Sequence, residues 1–129
     1  MADVEQVNLA ELEDLAPRFG VEGVEFRGAR EALGCERSGL SLQRIAPGAR
    51  QPFGHRHAEE EEIYVVLSGG GRIRLDDGER EVRPMDAIRV APRVARAFEA
   101  GPDGLELIAF GAPGGGGRDS EILPGWWGG

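Results

Sequence analysis

The sequence predicts an all-β fold, a sandwich or small barrel in a single domain. Short runs of alternating or β-branched residues recur at a spacing of roughly 8–12 residues. Turn residues separate them, and no strand–helix–strand rhythm or fixed-period repeat interrupts the pattern. The length of 129 residues suits one hydrophobic core.

The elements follow in order. "NLAELEDLAPRFG" reads as a short helix: Asn8 can cap it, Leu9, Leu12 and Leu15 recur at helical spacing, and Pro17 with Gly20 marks its end. Beyond it the pattern turns to strands. "VEGVEFR" alternates Val24 and Phe26, and "SGLSLQRI" places Leu40 and Leu42 on one face. "APGAR" is a turn, with Pro47 and Gly48 in the favoured order. "EEIYVVL" (Glu61–Leu67) is rich in β-branched and aromatic residues, and "GRIRL" alternates Ile73 and Leu75 with arginines. "DDG" reads as a hairpin turn into the exposed strand "EREVR". "DAIRVA", "VARAFEA" and "LELIAF" complete the set, with "GPDG" as a turn between the last two. With a strand carrying the histidines, this makes about nine short strands. The division expected is a helical arm over 1–20, a barrel over 21–112, and a flexible glycine-rich tail over 113–129 anchored by Trp126 and Trp127.

Composition excludes several classes of function. Charged residues are 29 % and the apolar set 40 %, so the chain is globular rather than disordered. A net charge of −8 argues against nucleic acid and anionic membranes as partners, which call for basic patches. No apolar run approaches the ~18 residues of a membrane span. The acidic start "MADVEQVNLAELEDL" lacks the apolar region of a signal peptide, and the single cysteine, Cys35, forms no intrachain disulfide. A cytoplasmic location is the expectation. "GAPGGGGR" is not followed by Lys-Ser/Thr and is no phosphate loop, so no nucleotide cofactor is expected.

The chemistry concentrates in "GHRHAEEEEIYVVLSGG", Gly54 to Gly70. It holds both histidines of the chain, His55 and His57. Residues two apart on a strand share a face, roughly 6.5–7 Å apart along it. Two imidazoles so placed can lean onto one ion at ~2.0–2.1 Å from each nitrogen, and a carboxylate from the next antiparallel strand can complete that side. Of the four glutamates, Glu62 shares its face with Tyr64 and Val66, whereas Glu61 falls with Ile63, Val65 and Leu67. Alternation therefore picks Glu62, with Glu61 the alternative if the loop is one residue shorter; Glu59 and Glu60 are expected to be a solvated loop.

These residues resemble the first motif of the cupins, in particular the small single-domain type. That motif sets a glycine before a His-x-His pair, then a glutamate after three or four intervening residues, and a second glycine after six more intervening residues. Gly48, His55, His57, Glu62 and Gly69 fit it, with only the first spacer longer by one. The resemblance covers about Ser38 to Phe110 and implies a double-stranded β-helix, the cupin or jelly-roll barrel. It also implies a homodimer of barrels paired at their edges. The second motif is altered. "PMDAIRVAPRVARAFEA" keeps Pro84, Asp86, Pro92, Val94 and Phe98, but Met85 and Arg93 replace glycines and Arg96 stands where the family places a fourth, histidine ligand.

Arg96 divides the functional reading. A guanidinium is always charged and would repel a neighbouring divalent ion by several kcal/mol at ~4 Å and an effective dielectric of ~20. In one reading it replaces the metal, pairs with Glu62 in bidentate fashion, and makes with His55 and His57 a pocket for a small anionic molecule. In the other, His55, His57 and Glu62 hold one divalent transition metal (Fe, Mn, Zn or Ni) for dioxygenase- or isomerase-like chemistry, and Arg96 orients an anionic substrate. Tyr64 and Phe98 would line the pocket in either. Fold alone does not choose between a binding module and an enzyme.

Overall fold

A computed structural model describes residues 3–113 and 119–128. Eight antiparallel strands form one curled sheet: β1 (Val24–Gly28), β2 (Gly39–Ile45), β3 (Gly54–His57), β4 (Glu61–Leu75), β5 (Gly78–Val82), β6 (Ala87–Val90), β7 (Arg96–Ala112) and β8 (Ser120–Leu123). The two long strands make the barrel. Residues 105–111 of β7 pair with β2 on one side and with residues 61–69 of β4 on the other. Residues 96–100 pair with residues 71–75 of β4. Each long strand therefore serves two faces, β1-β2-β7-β4-β6 in front and β8-β3-β7-β4-β5 behind.

The bend between the faces sits at glycines. Register shifts fall between Val66 and Ser68 and between Gly69 and Gly71. Gly69 has φ +75°, and a Cβ there would lie 2.0 Å from the Gly104 carbonyl oxygen. A bulge of this kind keeps a strand continuous while turning it. For that reason "EEIYVVL" and "GRIRL" are one strand and not two, and "GPDG" is a bend inside β7 rather than a turn. Two mergers and the addition of β8 turn the expected nine strands into eight.

The N-terminal segment is helical only in single turns. Asn8 caps as its position suggests, its side chain accepting the Ala10 N–H at 2.9 Å. The segment then forms two 3-10 turns, Leu9–Glu11 and Ala16–Phe19. The Asp14 carboxylate accepts the N–H groups of Ala16 and Phe26, the Leu15 N–H bonds the Phe26 carbonyl, and Arg27 donates to the Leu12 carbonyl. These bonds to β1 divert the groups a continuous helix would use. One further turn, α1 (Arg30–Leu33), closes on Gly34. No helix among the described residues is long and apolar enough to cross a membrane.

The core fills the space between the faces: Ile45, Tyr64, Val66, Ile73, Phe98, Leu105 and Leu107 are buried, with Phe98 edge-on to Tyr64 at 4.9 Å. The glycine run of the tail lies outside the described residues over 114–118. Beyond it β8 pairs with β3 over all four residues. Trp126 lies on Gly54, where a Cβ would meet its ring at 2.6 Å, and Trp127 donates its indole N–H to the Gln51 carbonyl. Arg50, Arg72 and Arg74 stack on the two indoles.

Candidate metal centre

His55 and His57 project from β3, and Glu62 from the second position of β4. Inward-facing alternation is realised as Glu62, Tyr64 and Val66, all buried, while Glu61 is exposed. Both imidazoles meet one carboxylate oxygen: Glu62 Oε1 is 3.2 Å from His55 Nε2 and 3.1 Å from His57 Nε2. The rings are edge-on, with centroids 5.1 Å apart. The Tyr64 hydroxyl donates to the same oxygen at 2.7 Å. His57 is buried, and His55 keeps about a fifth of its side chain exposed (22 %), so the site is reached from the His55 side.

These separations are informative. Donor atoms ~2.1 Å from one ion and at right angles to each other lie ~3.0 Å apart. The two observed nitrogen–oxygen separations have that length, so the donor set fits an ion at one face of its coordination sphere. In a three-residue group of this kind, all ligating atoms lie within 4.8 Å of one another. Charge also fits. Burial opposes the ionised form of Glu62, but the bonds from His55, His57 and Tyr64 outweigh it and hold the carboxyl well below its usual range. Burial would lower the His57 pKa, but the bonds to Glu62 and Asp119 raise it above 6.5. Burial, reinforced by anionic Glu62, pushes the Tyr64 hydroxyl well up, so it is a proton donor and not a phenolate.

Arg96 is fully buried, at the register position facing His55. The expected bidentate pair with Glu62 is not formed: a single Nη2–Oε1 approach of 4.0 Å joins them. The guanidinium is clasped instead by four main-chain carbonyls, those of His55 and Pro92 on Nη1 and of Val90 and Ala91 on Nη2, at 3.4–3.5 Å. Its Nε has no hydrogen-bond partner among the described residues. The β6–β7 connection wraps the head group before it can reach the glutamate. Phe98 is in the core, behind Tyr64.

Two residues escaped the sequence reading. Glu60 is buried and not solvated, with Oε2 3.6 Å from His57 Nε2. It turns inward over Gly111, where a Cβ would strike its carboxylate carbon at 2.7 Å. Of the four glutamates, the exposed ones are Glu59 and Glu61. Asp119 is the other. It accepts from His57 Nδ1 at 2.9 Å and from the N–H groups of Glu59 and Glu60 at 2.9 Å each. Burial works against its charge, but these three bonds lower its pKa to about 2. No motif spacing announces it, because it follows a glycine run that reads as tail.

A cleft of about 330 Å³ opens elsewhere, lined by Gly69, Gly71, Val82 and Asp103 at the strand bend. It lies roughly 25 Å along β4 from Glu62 by the rise of a strand, and it has no part in this site.

Comparison with known proteins agrees with the fold. Residues 41–109 match the family described as "Cupin domain". An uncharacterized protein of Methanocaldococcus jannaschii is 28 % identical over 99 residues, covering 76 % of this chain and 73 % of its own. Among solved structures, a cupin protein of Bacteroides fragilis superposes with a TM-score of 0.72 at 25 % identity, over 89 % of this chain and 88 % of that one. The polyketide cyclase RemF of Streptomyces resistomycificus gives 0.70 at 25 %, over 84 % and 78 %. A sugar phosphate isomerase of Silicibacter pomeroyi, at 0.69 and 22 % over 83 % and 74 %, shares the fold.

Proposed function

The chain belongs to the cupin family, and from that premise we propose that its barrel holds one divalent transition metal on His55, His57 and Glu62 and binds a small, anionic molecule at the open positions. The observation that carries this reading is the convergence of two imidazole nitrogens on one buried, ionised carboxylate oxygen at 3.1–3.2 Å. Two histidines and one carboxylate leave coordination sites free, as catalytic centres do. Such an ion, when bound, acts as a Lewis acid that polarises an oxygen of the bound molecule.

The chain's own residues have distinct parts. Tyr64 holds Glu62 in place and offers a neutral hydroxyl beside the carboxylate. Arg96, fastened to four carbonyls, is not free to grip a ligand. Its charge acts through space, favouring an anion near the ion and weakening the ion itself. This places Arg96 between the two readings drawn from the sequence: it takes the position of a fourth ligand without taking its role. The neighbours named as an isomerase and a cyclase are consistent with enzyme chemistry on small molecules. A homodimer in the cytoplasm remains part of this proposal, on the family resemblance.

Elemental analysis of the purified protein tests it. Stoichiometric Fe, Mn, Zn or Ni in the wild type, lost in His57→Ala, is the expected result. A wild type that takes up none of these ions, alongside an Arg96→His variant that does, overturns the metal reading and leaves a metal-free pocket.

A further inference from the structure

The His57 ring lies between two carboxylates on different elements. Nε2 faces Glu62 at 3.1 Å, and Nδ1 faces Asp119 at 2.9 Å. The ring has 4 % of its side chain exposed, so water does not substitute for either partner. Asp119 comes from 62 positions further along the chain and stands at the head of β8. It is fixed in turn. Its Oδ2 accepts the N–H groups of Glu59 and Glu60, and its main-chain carbonyl accepts that of Ala58 at 3.1 Å. Ser120, the next residue, brings its hydroxyl to 3.4 Å from the same Nδ1.

His57, Glu60 and Asp119 could themselves be taken for a second cation site, since their ligating atoms cluster as closely as those of the first. The hydrogen bonds argue otherwise. Oδ2 is engaged by two N–H groups, whose positive ends would face any cation placed beside it. The carboxylate is used as an acceptor on both oxygens, and an ionised Asp can only accept. The atom it meets on His57 is therefore an N–H. Glu62 Oε1 calls for an N–H on Nε2 in the same way, but a neutral imidazole carries only one ring N–H. Oε1 already accepts from the Tyr64 hydroxyl at 2.7 Å and faces His55 Nε2 at 3.2 Å, and the Asp119 contact is the shorter of the two, 2.9 against 3.1 Å, so the neutral ring keeps its proton on Nδ1 and leaves Nε2 with its lone pair.

We infer that Asp119 is the positioning residue of the site: it fixes His57 as the Nδ1–H form and sets the ring's direction, so that Nε2 is presented as a lone-pair donor beside Glu62. The inference rests on the metal reading for its purpose, but the form of the ring is measured without metal. Carboxylates that hold the far nitrogen of a ligating imidazole are worth about 10–100-fold in metal affinity.

The experiment uses the full chain and two variants, Asp119→Asn and Asp119→Ala. Asparagine keeps an oxygen where Oδ2 accepts both loop N–H groups but offers an NH₂ to Nδ1, which demands the Nε2–H form. The first readout is the ring ¹⁵N shifts of His57 in metal-free protein, at a pH well above the histidine range. The second is Zn²⁺ affinity by chelator competition. The expected result is the Nδ1–H form in the wild type, the Nε2–H form in Asp119→Asn, and affinity lower by about 10–100-fold in both variants. A wild-type ring already in the Nε2–H form overturns the inference. So does an Asp119→Asn protein with unchanged ring form, even if its affinity falls, because that marks a merely structural role. If the ring form switches as expected while the wild type binds no Zn²⁺ at all, the ring assignment stands and the metal reading fails.

Discussion

Replacing Arg96 by Gln removes the buried charge while keeping an amide to donate to the carbonyls that clasp it. The guanidinium nitrogen nearest the site is 4.0 Å from Glu62 Oε1. An ion ~2.1 Å from that oxygen, on the histidine side, lies roughly 6 Å from the guanidinium. At an effective dielectric of ~20, a unit charge and a divalent ion at that distance repel by about 5 kcal/mol. The carbonyl dipoles gathered on Arg96 offset part of this, and a remaining half corresponds to roughly a hundredfold in affinity. Arg96→Gln should therefore bind Mn²⁺ or Zn²⁺ roughly a hundredfold more tightly than wild type. It should also be less stable without metal by about 3 kcal/mol, because a buried charge network is broken. Added metal should restore much of that loss, since an ion that binds only the folded state stabilises it. Arg96→Lys, which keeps the charge, is the control and should remain weak. Chelator competition and melting with and without metal give the readings. Equal affinity in wild type and Arg96→Gln would refute the reasoning, for it would mean that the ion does not feel Arg96 and does not sit beside Glu62.

Three further outcomes follow from the same structure. Met85 is 82 % exposed with φ +74°, so Met85→Gly should relieve a left-handed strain and raise stability by about 0.5–1 kcal/mol in chemical denaturation; a loss would show that its side chain has a packing role. Gly69→Ala should cost about 3 kcal/mol or more, because its Cβ would collide with the Gly104 carbonyl at a positive φ; a melt within a degree or two of wild type would show that the bulge moves easily. Metal-free protein should be most stable at mildly acidic pH. The raised His57 pKa contributes stability below 6.5 that is lost as pH rises through its folded value, and the depressed Glu62 and Asp119 contribute above 4.5 and 3.8 that are lost as pH falls. Thermal melts across pH check this, and a monotonic rise from acid to pH 8 would contradict it.

The alternation in Glu61–Leu67 was enough to select Glu62, because a strand buried on one face enforces a period of two. The His-x-His pair was legible for the same reason. Arg96 was legible as a departure but not as a geometry. A sequence shows that a cation has entered the barrel, whereas the carbonyls that intercept it belong to a connection whose path only the folded chain fixes. Glu60 is not legible as buried because inward rotation of a loop residue depends on space, here left by the missing side chain of Gly111, about fifty positions further along the chain but adjacent in the fold. The fused strands were obscured by glycines, which signal a turn and a bulge alike.

The pairing of β8 with β3 sets an order of assembly. All three donor atoms lie within a span of eight residues, His55 to Glu62, and emerge together during synthesis. The strand of the two histidines is only four residues long, and its longest ladder is with a segment made more than sixty residues later. Apart from that ladder, β3 is held by the pairing of His55 with Arg96 and by the His57 N–H bond to the Pro92 carbonyl at 2.7 Å. Loop closure over such a distance is slow relative to local contacts. On the proposed metal reading, a chain in which β8 has not docked carries the complete motif without the carboxylate that fixes His57, so ion capture would report on the docking of β8.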